Sequence, residues 1–139
     1  MTKKQCMVCG ENTCEYKIKE IPFTYKGEAT FIKQPGEWCE TCGEGVLTDK
    51  DTHATMKEIQ THKAKVDRLL TPDDIRRIRK KLNINQKEAA EYFGGGVNGF
   101  SRYERGESPP PKSLSSLFVI LDKHPKQIEE LISSVEQRA

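Results

Sequence analysis

The sequence predicts an α+β protein of two domains, a small cysteine-containing β domain followed by an all-α domain of five helices. All five cysteines lie within the first 42 residues, where short stretches alternate like strands. From residue 71 onward, apolar residues recur at helical spacing instead. Hydrophobic residues make up 35% of the 139-residue chain and charged residues 32%, so two small bodies are expected rather than one large core.

Four of the cysteines form two copies of one pattern, CMVCG and CETCG. Two residues between thiolates let both sulfurs reach one tetrahedral ion, about 2.3 Å from each, and the glycine after each pair permits a tight turn. The pattern predicts one structural Zn²⁺ per chain, because four thiolates leave no coordination position for a catalytic water. The predicted ligands are Cys6, Cys9, Cys39 and Cys42.

Two other uses of these cysteines remain open. A disulfide is disfavoured in a reducing cytosol, and a thioredoxin-like redox pair would open a helix in a βαβ unit that the sequence does not show. Cys14, the fifth cysteine, is predicted to be a plain thiol close enough to the others to exchange as a ligand or to be oxidised. The three histidines have no ligand spacing and are predicted to be ordinary polar residues, namely His53, His62 and His124.

Between the cysteine pairs, the sequence predicts the strands of a small zinc ribbon. Residues 16–18, 23–25 and 30–32 belong to the strands, Lys26-Gly27-Glu28 marks a turn, and Pro35-Gly36 is expected to end the last strand. A body of this size is not expected to be stable without its metal.

Residues 49–70 contain no glycine or proline and predict a helical connector. A hinge is expected between Arg68 and Thr71. The predicted domains are therefore residues 1–67 and residues 68–139.

The second domain opens with the residues that favour a helix start. Thr71 suits the cap, Pro72 the first helical position, and two aspartates follow at the positive end of the helix dipole. One face of this helix is apolar, and a basic cluster is expected largely on the other. Such a cluster is usually a solvated face and indicates DNA only beside a DNA-reading element; it consists of Arg76, Arg77, Arg79, Lys80 and Lys81.

Two short helices follow, predicted over residues 86–93 and 97–105 and joined by three glycines. Asn85 is the expected cap of the first helix, and Gly106 ends the second. Two longer amphipathic helices complete the domain, and the last carries more apolar surface than the domain needs, which predicts contact with a twin subunit. That stripe is Ile128, Leu131, Ile132 and Val135. Five helices with a short, glycine-linked pair describe a helix-turn-helix domain.

The helix predicted over residues 97–105 is the recognition helix. Asn98 and Arg102 lie four residues apart and share a face, where they suit adenine and guanine edges in the major groove. Arg102 could instead pair with a surface glutamate, either Glu91 or Glu104. Side chains near the start of each short helix are predicted to contact the DNA backbone, and these are Gln86, Lys87, Ser101 and Arg105.

These two helices resemble the Cro/phage-repressor (XRE) family, with Asn85-Gln86-Lys87-Glu88-Ala89-Ala90 opening the first and a Glu-x-Gly closing the second. The turn FGGGVN is longer and richer in glycine than the usual family turn, which predicts an altered angle of entry into the groove. Nearly the whole chain also resembles the MqsA (YgiT-type) antitoxins. That resemblance is carried by the two cysteine pairs, IPFTYKGEATF, RKKLNINQKEAAEYFGGGVNGFSRYERG and LDKHP.

The resemblance implies a type II antitoxin and transcriptional autorepressor rather than an enzyme. Its zinc domain would bind and neutralise an MqsR-type mRNA-cleaving toxin, and its helix-turn-helix domain would form a homodimer on a palindromic operator in double-stranded DNA. In such antitoxins the Asn and Arg of the segment that matches GGGVNGFSRYE read bases, which corresponds to Asn98 and Arg102. The alternative is a free-standing zinc-ribbon helix-turn-helix regulator without a toxin partner.

The N-terminal residues carry no hydrophobic segment typical of a signal peptide. The longest apolar run, residues 117–121, is far shorter than the roughly 20 residues of a membrane span. A cytoplasmic protein without a membrane partner is expected.

Overall fold

The structure, a computed structural model, describes residues 3–138. Its contacts divide the chain into two compact units, residues 1–59 and 60–139. The domain boundary predicted after residue 67 falls in the loop that follows the helix Met56–Val66 and stays a prediction. The predicted fold class is confirmed, since an antiparallel sheet precedes a helical unit.

The first unit contains a three-stranded antiparallel sheet in the order β1-β2-β3. β1 is Cys14–Tyr25, β2 is Glu28–Cys39 and β3 is Gly45–Val46. Lys26 and Gly27 connect β1 to β2, with φ values of 49° and 82°. In a two-residue hairpin turn, positive φ at both positions matches the twist of the turn to the right-handed twist of the flanking strands. The predicted turn is therefore confirmed.

The prediction that Pro35-Gly36 ends a strand is wrong, because β2 continues through both residues to Cys39. β3 pairs with Glu37 and Trp38 and does not extend to Pro35. In the described part of the chain, the edge of β2 that faces away from β1 therefore has no strand partner at Pro35. The missing N–H of the proline thus costs no hydrogen bond. A Cβ atom on Gly36 would collide with the side chain of Leu47. The glycine therefore permits close packing against the strand instead of breaking it.

A short helix, α1 (Asp49–Ala54), packs against β2 through a buried polar contact. The Gln34 amide donates to the backbone oxygen of Asp51 at 2.8 Å and accepts from the Thr55 hydroxyl at 3.1 Å. The predicted helical connector is thus two helices, since α1 ends before Thr55 and α2 (Met56–Val66) follows it. Few apolar side chains of the first unit are buried, namely Cys6, Cys14, Ile32, Trp38 and Cys39.

The second unit contains the five predicted helices. α3 (Pro72–Lys81) and α4 (Gln86–Phe93) each begin with a complete capping box, formed by Thr71 with Asp74 and by Asn85 with Glu88. The remaining elements are α5 (Gly99–Arg105), α6 (Lys112–Lys123), a 3-10 helix (Pro125–Gln127) and α7 (Ile128–Arg138).

One apolar core holds these helices together, centred on the aromatic rings of α4, α5 and α6. The rings of Phe93 and Phe118 meet edge-on at 5.0 Å, and Phe100 lies 5.8 Å from Phe118. Buried around them are Ile75, Ile78, Leu82, Ile84, Ala89, Tyr103, Leu114, Leu121 and Ile128.

The apolar stripe on α7 is largely packed within the second unit, so less of it is free to contact a twin subunit than the sequence predicted. Ile128 is buried, and Leu131 and Ile132 pack against the same core. α6 instead carries exposed apolar side chains, since Leu117, Val119 and Ile120 are 37%, 42% and 50% exposed. In the part of the chain that the structure describes, no helix is both long and apolar enough to cross a membrane.

Candidate metal centre and candidate nucleic-acid interface

The four predicted ligand cysteines converge at one end of the first unit. Their sulfur atoms all lie within 4.8 Å of one another. Cys6 Sγ lies 3.6 Å from Cys42 Sγ, and Cys9 Sγ lies 3.6 Å from Cys39 Sγ. Sulfurs bound tetrahedrally at 2.3 Å are about 3.8 Å apart, so these spacings suit a metal centre. The four cysteines are arranged to hold a metal ion.

The two cysteine pairs form matching turns. The backbone N–H of Gly10 donates to Cys6 O at 3.0 Å, and that of Gly43 donates to Cys39 O at 2.9 Å. Both glycines have positive φ, 82° and 78°, a conformation that a side chain would strain. The glycine predicted to close each turn therefore does so.

The first cysteine of each pair accepts hydrogen bonds that favour its thiolate form. Backbone N–H groups of Cys9 and Val8 lie 3.5 and 3.3 Å from Cys6 Sγ and lower the pKa of Cys6. The pKa of Cys39 is lowered most by the Thr13 hydroxyl, 3.1 Å from its sulfur, and next by the backbone N–H of Cys42. A metal binds the thiolate, so both effects favour metal binding.

Cys14 lies beside this cluster without being one of its four ligands. It is 4% exposed, packs with Cys6 and Cys39, and pairs directly with Cys39 in the sheet. Burial is the main cause that raises its pKa, so the thiol keeps its proton.

In the second unit, α4 and α5 form the predicted helix-turn-helix pair, but α5 begins at Gly99 and not at Val97. Three consecutive glycines with positive φ turn the chain after α4. A Cβ atom on Gly95 would lie 2.9 Å from the Tyr103 hydroxyl. The glycine turn therefore leaves room for the ring of Tyr103, which anchors α5 in the core.

The two predicted base-reading residues are both exposed. Asn98 is the residue that precedes α5, and the backbone N–H of Arg102 donates to its carbonyl oxygen at 3.1 Å, so they lie one turn apart. Among the described residues, no hydrogen bond or ion pair engages the Arg102 guanidinium. The alternative pairing with Glu104 is wrong, because that side chain points inward. The base-reading role itself stays a prediction.

The predicted backbone contacts lie on the same two helices. Gln86 is the first residue of α4 and is half-buried, whereas Lys87 is exposed. Arg105 Nε donates to the backbone oxygen of Ser101 at 3.3 Å, and its guanidinium pairs with Glu107 at 2.9 Å.

A buried ion pair joins α3 to α5, and the sequence prediction missed it. Arg79 Nε and Nη2 donate to both Glu104 carboxylate oxygens at 2.8 and 2.9 Å, and Nη1 donates to the backbone oxygen of Ile84. The placement of Arg79 on the outer face is therefore wrong. It follows Ile75 by four residues and precedes Leu82 by three, a spacing that places it on the buried face of α3.

Two other members of the basic cluster also have partners. Arg77 and Lys81 each lie 3.0 Å from the Asp122 carboxylate of α6. Arg77, and then Lys81, lower the pKa of Asp122 to about 2. These contacts tie α3 to α6, so the cluster is only in part a solvated face.

Comparison with known proteins decides the family. A family model described as "Antitoxin component of bacterial toxin-antitoxin system, MqsA" matches residues 4–132. The chain belongs to the MqsA antitoxin family. It is 40% identical to antitoxin MqsA of Escherichia coli (strain K12) over 129 residues, which cover 91% of this chain and 98% of that protein. The resemblance predicted from the sequence is therefore confirmed.

A solved structure of the N-terminal domain of the E. coli protein MqsA is also similar. The sequences are 30% identical, the TM-score is 0.41, and the match covers 45% of this chain and 96% of that one.

Proposed function

We propose that this member of the MqsA family neutralises a toxin through its first unit and represses its own operon through its second. The observation that carries the proposal is that one chain of the antitoxin family has two separate features. One is a cysteine cluster arranged to hold a metal ion, and the other is an exposed surface with Asn98 and Arg102. The two features lie in separate compact units. One chain can therefore hold two partners on different surfaces.

The ion proposed for the cysteine cluster is Zn²⁺ in a structural role. Structural zinc sites are almost always tetrahedral and four cysteines are one of their usual ligand sets, and four protein ligands leave no position for a substrate or water. The bound ion would link the turn of Cys6 and Cys9 to the turn of Cys39 and Cys42. This link would stabilise a unit in which few apolar side chains are buried.

The first unit is proposed to bind an MqsR-type mRNA-cleaving toxin. Large apolar side chains remain exposed on it, and burying such surface against a partner is the main driving force of protein association. They are Met7, Val8, Tyr16, Ile18 and Phe31.

The second unit is proposed to read DNA with α5 in the major groove. Arg102 suits guanine because its guanidinium can donate to both O6 and N7, and Asn98 suits the N6 and N7 of adenine. The absence of a partner for the Arg102 guanidinium, among the described residues, supports this role. Gln86, Lys87 and Ser101, with Arg105 next to them, are proposed to hold phosphates.

Replacing Arg102 with alanine tests the DNA-reading half of the proposal. The variant is expected to lose about 1–3 kcal/mol of affinity per half-site and to relax preference at one base position. Asn98→Ala should act likewise at an adjacent base. Lys87→Ala is the matched control, because losing a phosphate contact weakens all sequences about equally and lowers the salt slope by about one ion.

Fluorescence titrations of operator and scrambled duplexes at several salt concentrations separate these outcomes. If Arg102→Ala weakens binding to both duplexes equally, Arg102 is a phosphate contact and the assigned recognition face is wrong. The operator fragment is taken from the DNA upstream of the chain's own gene.

A homodimer is proposed to form through Leu117 and Ile120, two exposed apolar residues three positions apart on one side of α6, which replace the α7 stripe as the suggested interface. A two-fold dimer would place two recognition helices on half-sites about one helical turn, or a multiple of it, apart. Ile120→Glu is expected to yield a monomer in sedimentation experiments at micromolar concentration. Ile18→Glu, the same change at an exposed position of the first unit, is expected to remain a dimer. A wild-type monomer that binds single half-sites would refute the dimer.

A further inference from the structure

The second cysteine pair has a hydroxyl contact that the structure does not show at the first. Thr13 Oγ1 lies 3.1 Å from Cys39 Sγ and 2.7 Å from Thr41 Oγ1. Within the described residues, Cys6 Sγ has only backbone N–H donors besides other cysteines, at 3.3 and 3.5 Å. The two pairs are therefore alike in backbone but different in their side-chain surroundings.

The direction of these hydrogen bonds follows once a metal is bound. A coordinated cysteine is a thiolate with no proton, so the Thr13 hydroxyl must donate to Cys39 Sγ. Because a hydroxyl has one proton, the Thr41 hydroxyl then donates to the Thr13 oxygen. The result is a directed chain from Thr41 through Thr13 to the sulfur. The backbone also holds Thr13 in place, since its carbonyl accepts from the N–H of Glu40 at 3.2 Å.

A hydroxyl that donates to a bound thiolate fixes the direction of its lone pairs and withdraws electron density from sulfur. Groups that hydrogen-bond to metal ligands in this way typically change metal affinity about 10–100-fold when they are removed. Cys39 is 2% exposed, so water cannot readily replace the lost donor. Thr41 is exposed and acts only through Thr13.

We propose that Thr13 is a positioning residue of the metal centre, whose hydroxyl, aligned by that of Thr41, orients Cys39 Sγ and tightens metal binding. The inference rests on the proposed zinc site. It adds a polar side chain to that site without adding a ligand.

Competition between the full-length protein and a chromophoric zinc chelator tests the inference. Thr13→Val, which keeps the side-chain shape and removes the hydroxyl, is expected to bind zinc about 10–100-fold more weakly. Thr13→Ser, which restores a hydroxyl, should bind nearly as tightly as wild type. Thr24→Val removes an exposed hydroxyl near the other end of β1 and serves as the matched control, with wild-type affinity expected.

Cobalt substitution distinguishes a hydrogen bond to sulfur from a merely structural effect. Loss of the donor makes the thiolate more electron-rich, so the sulfur-to-cobalt charge-transfer band of Thr13→Val should move to longer wavelength. Thr41→Val, a change at an exposed residue that should leave the fold intact, should move it less in the same direction. Thr13→Ser and Thr24→Val should not move it.

Four results would contradict part of this account. Wild-type affinity and band position in Thr13→Val would overturn the inference, and so would weaker binding with an unshifted band. If Thr13→Val does not fold, a wild-type band in Thr41→Val would overturn it. A wild-type protein that binds no stoichiometric zinc would instead refute the proposed zinc site.

Discussion

Replacing Cys39 with serine is expected to release the metal ion and unfold the first unit while the second unit stays folded. Structural zinc supplies an apparent binding energy of roughly 10–16 kcal/mol, and that energy is folding energy when no site exists in the unfolded chain. The few buried apolar side chains of the first unit cannot replace it. The second unit has its own core and no part in the cysteine cluster.

Trp38, the single tryptophan, reports on the first unit because it lies in β2. Its fluorescence should resemble that of unfolded protein in Cys39→Ser, zinc content should fall, and operator binding should persist. Cys14→Ser is the matched control, since it changes a neighbouring buried thiol that is not one of the four ligands; it should retain one zinc ion per chain. If Cys39→Ser keeps its zinc and its native tryptophan signal, the ligand assignment is wrong.

Replacing Glu104 with leucine is expected to destabilise the second unit by about 3–5 kcal/mol. The change leaves the Arg79 guanidinium buried without its carboxylate partner, and an uncompensated buried charge costs about that much. Both side chains are largely inaccessible, 10% and 5% exposed, so solvent cannot take over the lost contacts. Since Glu104 lies on α5, operator binding should weaken as well.

A double variant separates the cost of a broken pair from the value of the intact pair. Arg79→Met with Glu104→Leu fills the space with apolar groups and should be far more stable than Glu104→Leu alone, because apolar replacements of buried ion pairs are often neutral. Urea unfolding followed by far-ultraviolet circular dichroism measures both. A cost of about 1 kcal/mol or less for Glu104→Leu, as for a surface pair, would show that the contact does not hold α5 in place.

Features that depend on neighbouring residues could be predicted from the sequence. The starts of α3 and α4 follow from capping boxes whose two residues lie three positions apart, Thr71 with Asp74 and Asn85 with Glu88. The end of α5 follows from the positive φ of Gly106. The two cysteine turns likewise follow from local sequence, because each CxxC pair is closed by a glycine with positive φ.

Features that depend on distant parts of the chain could not be predicted from the sequence. β2 continues through Pro35 because of where β3 ends, and the register that brings Thr13 to Cys39 is set by the whole hairpin. No pattern distinguishes Thr13 from any other threonine. The burial of Arg79 could have been predicted but was missed, because its spacing from Ile75 is that of one helix face. Its partner Glu104 lies 25 residues away and could not be predicted.

The most direct test of the proposed function measures mRNA cleavage by a purified MqsR-type ribonuclease in the presence of this protein. Equimolar wild-type protein is expected to abolish cleavage, and Arg102→Ala should do the same because its change lies in the DNA-binding unit. Cys39→Ser should leave the ribonuclease active. If cleavage continues in the presence of excess zinc-loaded wild-type protein, the chain does not neutralise that toxin, and a free-standing DNA-binding regulator becomes the better description.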